Sequence, residues 1–558
     1  MPGQPARSEL SFNLAALFLG LLQALSFAPL ALGLLQILSF SGLCLLILFR
    51  PDRAGMLAWL FGLATFSAGL SWMFISMHRF GGMPSPMAAL AVVLLSSYLA
   101  LFGAVAWRLA ISAGGITGNH GNGAAGFYSL PLIIAAFWVL GEMARGILLT
   151  GFPWLSIGYA HVDNPLSGTA AWAGVYGISG IAVLISALLA RLIHHLIQQR
   201  VQKKQPDVAI PETSLRQEVG PTTFGSTSLT TRLTRSTMMP ALTILMAILM
   251  IIGVSVLAGQ QAFSTNDGKP VSVRLLQGNV EQQLKFDPGR TLRAMRDYIA
   301  LVRQAPAQLY VLPETAWTVG LAQTPPQILS SLSAYLRKNG GLFATGIPVR
   351  EPSPQGQNPY RLTNSVVTLD ANLEITARYN KRHLVPFGEF IPPGFRWFVD
   401  MMHIPLGDFD RGGRQQPPLV LDGRRVAFNI CYEDLFGEEL AVQVRDGANL
   451  LINVSNIGWF GQSHALPQHL NISRLRAMEF QRPMLRSTNT GVTAHIGPSG
   501  RVLAQLPVYQ HGALDVNVQP MTGLTPFARY GLWLPTTLAV ILLLTGTMMQ
   551  LIGPRKTD

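Results

Sequence analysis

The N-terminal part of the chain contains a long stretch without any charged side chain, from Ser11 to Phe49. A helix of about 20 apolar residues is enough to cross a bilayer, and charged groups inside it are costly. These 39 residues therefore have room for two crossings, with a break predicted at Ser26–Pro29. Only 12% of all residues are charged, against about a quarter in a soluble chain. The apolar stretch and this deficit together predict a membrane protein.

Six further apolar runs bring the predicted number of transmembrane helices to eight. They cover residues 54–77, 82–107, 130–149, 164–190, 240–259 and 530–554. Two segments between them are predicted to be loops. Residues 111–127 are rich in Gly, Asn and Ser, and residues 191–239 are rich in Ser, Thr and basic side chains.

Basic residues mark one side of the predicted membrane domain. Arg50, Arg53, the 191–239 loop and the C-terminal Arg555 and Lys556 all fall on the side of both termini. Because cytoplasmic loops carry an excess of Lys and Arg, this side is predicted to be cytoplasmic. The net charge of +13 has the same origin, so it does not indicate nucleic-acid binding.

This topology divides the chain into three parts. Residues 1–261 hold spans one to seven, residues 262–526 form a water-facing domain, and residues 527–558 hold the eighth span and a cytoplasmic tail. In a bacterial inner membrane the middle part would face the periplasm.

One predicted span carries a pair of charged residues, Glu142 and Arg145. Their i,i+3 spacing places both on one helix face. Such charges usually face a partner or a cavity. Two interpretations stay open: a structural ion pair near the helix end, and a contact to a lipid headgroup or substrate.

The water-facing domain alternates short apolar runs with amphipathic stretches, a pattern typical of layered α/β folds. The predicted strands are 271–277, 308–312, 341–347, 365–369, 426–430 and 450–454. The predicted helices are 291–304, 326–338, 437–446 and 467–481.

Three reactive side chains each lie just past a strand-like run. Glu314 and Lys381 follow runs that end at Leu312 and Tyr379, and Cys431 directly follows the run 426–430. Because α/β proteins gather functional groups at the carboxyl ends of strands, we expect one sheet edge to hold all three. A carboxylate can take the proton of a thiol, and an ammonium can stabilise the thiolate and an oxyanion. Each residue alone is more often a surface charge or a packing residue, so only the combination predicts catalysis.

The chain has only two cysteines, too few for a disulfide framework. Cys431 has one companion, Cys44, which lies in the first apolar stretch. Two cysteines in such different settings indicate neither a disulfide framework nor a metal site.

With these residues in place, the chain resembles the nitrilase superfamily, whose members carry a Glu-Lys-Cys triad on an αββα sandwich. It resembles most closely the membrane-anchored family of that superfamily, the apolipoprotein N-acyltransferases. The resemblance covers nearly the whole chain and rests on the strings at 276–279 (LQGN), 312–315 (LPET), 381–389 (KRHLVPFGE), 431–433 (CYE), 453–456 (NVSN), 459–460 (WF) and 468–469 (QH), with Arg474, Arg476, Ala477 and Glu479.

By this resemblance, Glu314 is the general base, Lys381 stabilises the oxyanion, and Cys431 is the nucleophile. The resemblance also assigns supporting or substrate-binding positions to Glu389, Tyr432, Glu433, Phe286 and Trp459. Phe286 departs from the family pattern, because some relatives carry Trp there and Phe lacks the indole N–H donor.

The resemblance further implies a two-step acyl transfer that requires no metal or other cofactor. Cys431 attacks the sn-1 ester of a phospholipid, typically phosphatidylethanolamine, and forms a thioester. The α-amine of a diacylglyceryl-cysteine on an apolipoprotein then takes the acyl chain. The implied partners are the phospholipid, the apolipoprotein and the membrane, with no nucleic acid, and the implied location is the bacterial inner membrane.

Two other functions fit parts of this sequence pattern. A membrane-tethered amidase would use the same triad with water as the second nucleophile, but a small soluble amide needs no eight spans. A transporter with a receptor-like domain would carry charges in several spans, and Glu142 and Arg145 are the only clear pair away from the span ends.

An apolar segment between Lys381 and Cys431 is unusual for a water-facing domain. Its aromatic and aliphatic side chains are Phe387, Phe390, Ile391, Phe395, Trp397, Phe398, Met401, Met402 and Ile404. We expect a lid that enters the bilayer interface and guides acyl chains. The alternative is a loop packed into the core.

Overall fold

The structure is a computed structural model, which describes residues 4–115, 124–204, 228–282, 285, 287–353, 359–392, 394, 396 and 408–552. Within them the helices are α1 (Gln4–Leu25), α2 (Gly33–Phe49), α3 (Ala54–Gly69), α4 (Trp72–Ile75), α5 (Ser85–Ala113), α6 (Ala124–Ile147), α7 (Ala170–Lys204), α8 (Ser228–Gln260), α9 (Pro288–Val302), α10 (Pro326–Asn339), α11 (Gly437–Arg445), α12 (Ala465–Phe480), α13 (Pro526–Tyr530) and α14 (Trp533–Ile552). The strands are β1 (Ser264–Asn266), β2 (Val271–Gln277), β3 (Leu309–Val311), β4 (Leu342–Pro352), β5 (Tyr360–Leu369), β6 (Ile375–Asn380), β7 (Leu419–Leu421), β8 (Arg424–Ile430), β9 (Ala448–Ser455), β10 (Met484–Thr488), β11 (Ala494–Ile496), β12 (Val502–Gln505), β13 (Gly512–Val518) and β14 (Met521–Gly523).

Each predicted span overlaps an apolar helix, but the predicted span 54–77 is divided, because α3 ends at Gly69 and α4 begins at Trp72. Among the described residues, five segments are long and apolar enough to cross a membrane, namely 85–113, 127–150, 165–201, 239–260 and 533–552. Residues 33–69 add a helix pair bent by 115°, and residues 9–25 form a shorter apolar helix. The N-terminal part is therefore a helical membrane domain, while the number of eight crossings stays a prediction.

The loop predicted over residues 191–239 is wrong at both ends. Helix α7 continues to Lys204 and α8 begins at Ser228, and residues 205–227 lie outside the described part of the chain. No Gly or Pro interrupts 191–204 or 228–239, so both helices extend into the basic region.

The loop predicted over residues 111–127 is also too long. Helix α5 runs to Ala113 and α6 begins at Ala124, and residues 116–123 are not described.

Glu142 and Arg145 are both buried in the structure. Arg145 donates to the carbonyls of Phe152 and Trp154 over 2.6 and 2.7 Å. Glu142 accepts from the backbone N–H of Ile157 over 2.9 Å. Arg145 also donates to the Ser156 hydroxyl over 3.0 Å. These partners all belong to the segment after α6, which favours a structural role over a lipid contact. The two side chains do not form an ion pair with each other, so the expected pair itself is not observed between these two described residues.

The water-facing domain contains two six-stranded sheets. Their strand orders are β13-β2-β3-β4-β5-β6 and β12-β11-β10-β9-β8-β7. Strands β2, β3 and β4 are parallel in the first sheet, and β8, β9 and β10 are parallel in the second. Two antiparallel steps bring β6 back into the direction of β3, so their carboxyl ends lie at the same edge.

The two sheets pack face to face, with helices on both outer faces. Val273, Val311 and Val366 of the first sheet share one apolar core with Phe428 and Ile452 of the second. Helices α9 and α10 pack on the outside of the first sheet. Helices α11, α12 and α13 pack on the outside of the second. The αββα sandwich expected for this domain is therefore the observed fold.

The membrane helices contact the sandwich directly. Trp72 and Trp154 both donate their indole N–H to the side-chain oxygen of Gln468 on α12, over 3.2 and 2.8 Å. Glu479, near the end of the same helix, accepts from the backbone of Val175, just past a break in α7 at Gly174. These buried bonds fix α12, and the strands under it, against the membrane domain.

Candidate active site

The carboxyl ends of β3, β6 and β8 bring two of the three predicted catalytic residues into direct contact. Lys381 directly follows β6 and donates its Nζ to Glu314 Oε1 over 3.0 Å. The same Nζ donates to Glu389 Oε1 over 2.9 Å. The supporting position expected at Glu389 is thus beside Lys381, and the ammonium lies between two carboxylates.

An asparagine of β5 completes this cluster. Asn364 Nδ2 donates to both carboxylates, 2.8 Å from Glu314 Oε1 and 2.7 Å from Glu389 Oε1. Its carbonyl accepts from the backbone N–H of Lys381 over 2.7 Å. Antiparallel pairing of β5 with β6 therefore sets the position of the lysine relative to both acids.

The hydrogen bonds to Glu314 keep it ionised. Its second oxygen accepts from the backbone N–H of Asn456 over 2.9 Å, directly after β9. Burial alone would raise the pKa of this carboxyl, but Lys381 and Asn364 outweigh burial and bring the pKa below its usual value. Conversely, the two carboxylates hold the pKa of Lys381 well above its usual value, although burial opposes them.

Cys431 directly follows β8 and has a left-handed backbone, with φ of 53°. Such a conformation is costly for a residue other than glycine and is held by its surroundings. The Cys431 carbonyl accepts from Asn453 Nδ2 and from His469 Nε2, over 3.1 and 3.2 Å. This left-handed residue turns the chain sharply away from the strand.

The thiol of Cys431 is half-buried and carries its proton in the resting protein. Burial raises its pKa to about 12, and the negative charge of Glu314 adds to the rise. Lys381 acts in the opposite direction. An ionised carboxylate and a protonated thiol in one site are the resting state that a proton transfer from sulfur to Glu314 requires.

Tyr432 and Glu433, the two residues that follow Cys431, have different functions in the fold. The Glu433 carboxylate accepts from the backbone N–H groups of Ile430, Arg382 and His383, over 2.7, 2.6 and 3.0 Å. It therefore ties the end of β8 to the segment that carries Lys381. Tyr432 instead donates to the Gly151 carbonyl of the membrane domain over 2.9 Å.

Trp459 and Phe286 complete the set of predicted site residues. Trp459 lies three residues past Asn456 and packs edge-on against Phe80, with ring centroids 5.8 Å apart. Phe286 lies outside the described residues, so its departure from the family pattern has no structural account.

Only part of the predicted lid can be placed. Phe387, Phe390 and Ile391 are half-buried. Phe395, Trp397, Phe398, Met401, Met402 and Ile404 lie outside the described residues. The lid therefore stays a hypothesis.

A second buried charge cluster lies beside the Cys431 turn and was not predicted from the sequence. Asp434 accepts from His469 Nε2 over 2.9 Å and from Arg486 Nη1 over 3.1 Å, and Ser473 also donates to it. None of these side chains is more than 1% exposed. Since His469 also binds the Cys431 carbonyl, this cluster supports the strained turn.

Asp434→Ala is expected to destabilise the sandwich because it leaves the guanidinium of Arg486 buried without its partner. The loss should be about 3–5 kcal/mol, seen as a lower midpoint of thermal unfolding in detergent. The matched control is Asp163→Ala, which removes an exposed ion pair with Arg474 and should cost at most about 1 kcal/mol. Equal midpoints for the two variants would contradict a supporting role for the buried cluster.

No candidate metal centre accompanies the site in the part of the chain that the structure describes. There, no group of three or more His, Cys, Asp or Glu side chains is arranged to hold an ion.

Two family models match separate parts of the chain. The carbon-nitrogen hydrolase family model matches residues 272–526, and the model of the apolipoprotein N-acyltransferase N-terminal domain matches residues 19–188. An amidase of the nitrilase superfamily from Nesterenkonia, of known structure, aligns with a TM-score of 0.34 and 22% identity, over 45% of this chain and 92% of its own.

Curated relatives extend over nearly the whole chain. An apolipoprotein N-acyltransferase of Ralstonia nicotianae is 42% identical over 94% of this chain and 91% of its own length. Those of Bordetella bronchiseptica and Nitrosomonas europaea are 41% and 37% identical, over 86% and 98% of this chain and 85% and 98% of their own. The chain therefore belongs to the apolipoprotein N-acyltransferase family.

Proposed function

We propose that this protein transfers an acyl chain from a membrane phospholipid to the N-terminal diacylglyceryl-cysteine amine of lipoproteins, through a thioester on Cys431. The observation that carries this proposal is the buried cluster at the strand ends. Lys381 binds two carboxylates there, and Glu314 and Lys381 both act on the Cys431 thiol electrostatically. Membership of the acyltransferase family supplies the substrate class.

In the first half-reaction, Glu314 accepts the thiol proton while Cys431 Sγ attacks the ester carbonyl of the phospholipid. The carbonyl oxygen becomes an oxyanion, which Lys381 stabilises as a fixed cation in a site with little water. The tetrahedral intermediate then collapses to the thioester. Glu314 returns its proton to the leaving alkoxide, and the lysophospholipid departs.

In the second half-reaction, the α-amine of the diacylglyceryl-cysteine attacks the thioester carbonyl. Glu314 takes the amine proton, and the second oxyanion again lies beside Lys381. Collapse of the intermediate forms the amide and releases the sulfur, which regains a proton from Glu314. Glu389 holds Lys381 from the other side, so the ammonium keeps its place through both half-reactions.

The contacts between the sandwich and the helices support a site at the membrane surface. Tyr432, the residue after the nucleophile, is bonded to the turn that follows α6, and His383 donates to the Thr150 carbonyl of the same turn over 2.7 Å. Leu148 and Leu149 of this turn are 55% and 81% exposed. We place this apolar turn in the bilayer interface and the sandwich on the periplasmic side of the inner membrane, above eight spans.

The experiment that tests the function supplies both substrates to purified protein in detergent. Phosphatidylethanolamine labelled in its sn-1 chain should transfer label to a synthetic diacylglyceryl-cysteine peptide, with ping-pong kinetics. The control is the same peptide with an acetylated α-amine, which should accept no label. Release of ammonia from small amides without labelling of the peptide would instead support the membrane-tethered amidase.

A further inference from the structure

A second lysine lies buried in the site, and the family resemblance assigned no role to it. Lys285 belongs to the segment between β2 and α9 and is 4% exposed. A lysine is rarely buried unless it is paired, because the ammonium loses its hydration. Its location therefore needs a partner that carries negative charge.

The hydrogen bonds of Lys285 do not supply that charge. Nζ donates to the Glu314 carbonyl over 3.2 Å and to Thr315 Oγ1 over 2.5 Å, and both acceptors are neutral. Thr315 has a left-handed backbone, with φ of 47°, so the lysine holds the strained turn that presents Glu314. The groups that act on the ammonium without a hydrogen bond to it are the Glu314 carboxylate and, once it is ionised, the sulfur of Cys431.

Without a second cation, the charges of the site do not balance. Lys381 is bonded to two carboxylates, Glu314 and Glu389, so these three groups together carry one excess negative charge. A thiolate on Cys431 would add a second. Among the described residues, the charged groups that act on the sulfur or on Lys285 include Glu314, Glu389, Lys381 and, from β10, Arg486, which is itself paired with Asp434. From α12, His469 binds both the Cys431 carbonyl and Asp434.

We propose that Lys285 is a positioning residue whose ammonium balances the excess negative charge of the site and thereby promotes ionisation of Cys431. It also holds the Glu314 turn, so that one side chain sets both the place of the base and the charge around the nucleophile. The inference rests on the proposed function in one respect, the choice of Cys431 as nucleophile.

The charge of Lys285 should change within the working pH range. Burial lowers its pKa to about 7, although Glu314 and Cys431 oppose the change. Below this pH the ammonium is present, so the thiolate fraction rises tenfold for each pH unit. Above this pH Lys285 is neutral, and the thiolate forms when the thiol proton moves to Lys285. This transfer releases no proton to solvent, so its equilibrium does not depend on pH. The thiolate fraction then levels off.

Alkylation of Cys431 by iodoacetamide measures this thiolate fraction without any lipid substrate. In the wild type, the logarithm of the rate should rise with unit slope up to about pH 7 and flatten above it. Lys285→Met should remove the bend and lower the rate at pH 6 by about tenfold or more, since one opposite charge at short range shifts a thiol pKa by about 1–3 units. Lys285→Arg should also remove the bend but keep a rate at least equal to the wild type, because a guanidinium stays charged.

The controls separate this effect from misfolding and from failure of the proposed function. Cys431→Ala gives the background labelling, and thermal unfolding shows whether each variant is folded. A straight wild-type profile, or a bend that persists in folded Lys285→Met or Lys285→Arg, would overturn the inference. A purely structural role would slow acyl transfer in both variants without moving the pH profile. Failure of wild-type acyl transfer, measured separately, would overturn the proposed function alone.

Discussion

Cys431→Ala is expected to abolish acyl transfer, with a rate at least about 10⁴-fold below the wild type. In the proposed mechanism Cys431 forms the covalent intermediate, so without its sulfur Glu314 and Lys381 have no nucleophile to assist. The fold should survive, because Ala can occupy the position after β8 and the carbonyl of residue 431 still accepts from Asn453 and His469. Steady-state transfer of labelled acyl chain to the peptide measures the loss.

The second cysteine provides a matched control. Cys44 lies in α2 and is 1% exposed, packed among the membrane helices. Cys44→Ala should keep transfer within about threefold of the wild type, because the lost contacts are remote from the strand ends. A Cys431→Ala variant that still transfers, or a Cys44→Ala variant that is folded and inactive, would contradict the assignment of the nucleophile.

Lys381→Met is expected to lower the rate of acyl transfer by about 10³-fold, as the loss of an oxyanion-stabilising group does. It also removes the cation that holds Glu314 ionised. The two carboxylates would then share only Asn364, and repulsion would raise the pKa of one of them. Glu314 would become a poorer proton acceptor, so kcat should fall more than the apparent affinity for phospholipid.

The control for Lys381→Met is Lys338→Met, which removes an exposed ammonium at the end of α10. This variant should transfer at the wild-type rate. If folded Lys381→Met kept more than about a tenth of the wild-type kcat, the proposed stabilisation of the oxyanion by this lysine would be wrong.

The local sequence predicted the strands that end at the site because each is a short apolar run with a polar residue after it. Strand β2 was predicted at its observed bounds, and β8 and β9 within two residues. The rule that carboxyl ends of parallel strands gather functional groups then placed Glu314 and Lys381 together. Glu389 was identified through the family resemblance, since nothing in its spacing indicates a contact with Lys381.

The buried polar residues could not be predicted in the same way. Strand β10 carries Arg486, Ser487 and Thr488, so its sequence reads as polar although all three side chains are buried. Contacts with residues distant in the sequence stabilise them. Arg486 pairs with Asp434, and Ser487 donates to the carbonyls of Leu276 and Val311 in the facing sheet. Lys285 was overlooked for the same reason, because a lone lysine in a loop is usually exposed.

In the membrane part, the sequence predicted where the helices lie but not where they end or what their charged residues contact. Apolar runs located the helices, but composition misplaced their ends at Lys204 and Ser228, since Ser, Thr and basic residues are compatible with a helix that continues beyond the apolar region. Nor did charge spacing reveal that Arg145 binds the backbone of the following turn, since that contact depends on how the chain folds back.

Detection of the covalent intermediate tests directly whether acyl transfer passes through Cys431. Purified protein is incubated with phosphatidylethanolamine in the absence of a lipoprotein acceptor, and its intact mass is measured before and after treatment with neutral hydroxylamine. We predict a mass increase of one acyl chain, located by peptide mapping to Cys431, which hydroxylamine removes and the diacylglyceryl-cysteine peptide discharges. Acyl transfer to the peptide with no such adduct, or with an adduct on another residue, would contradict a thioester intermediate on Cys431.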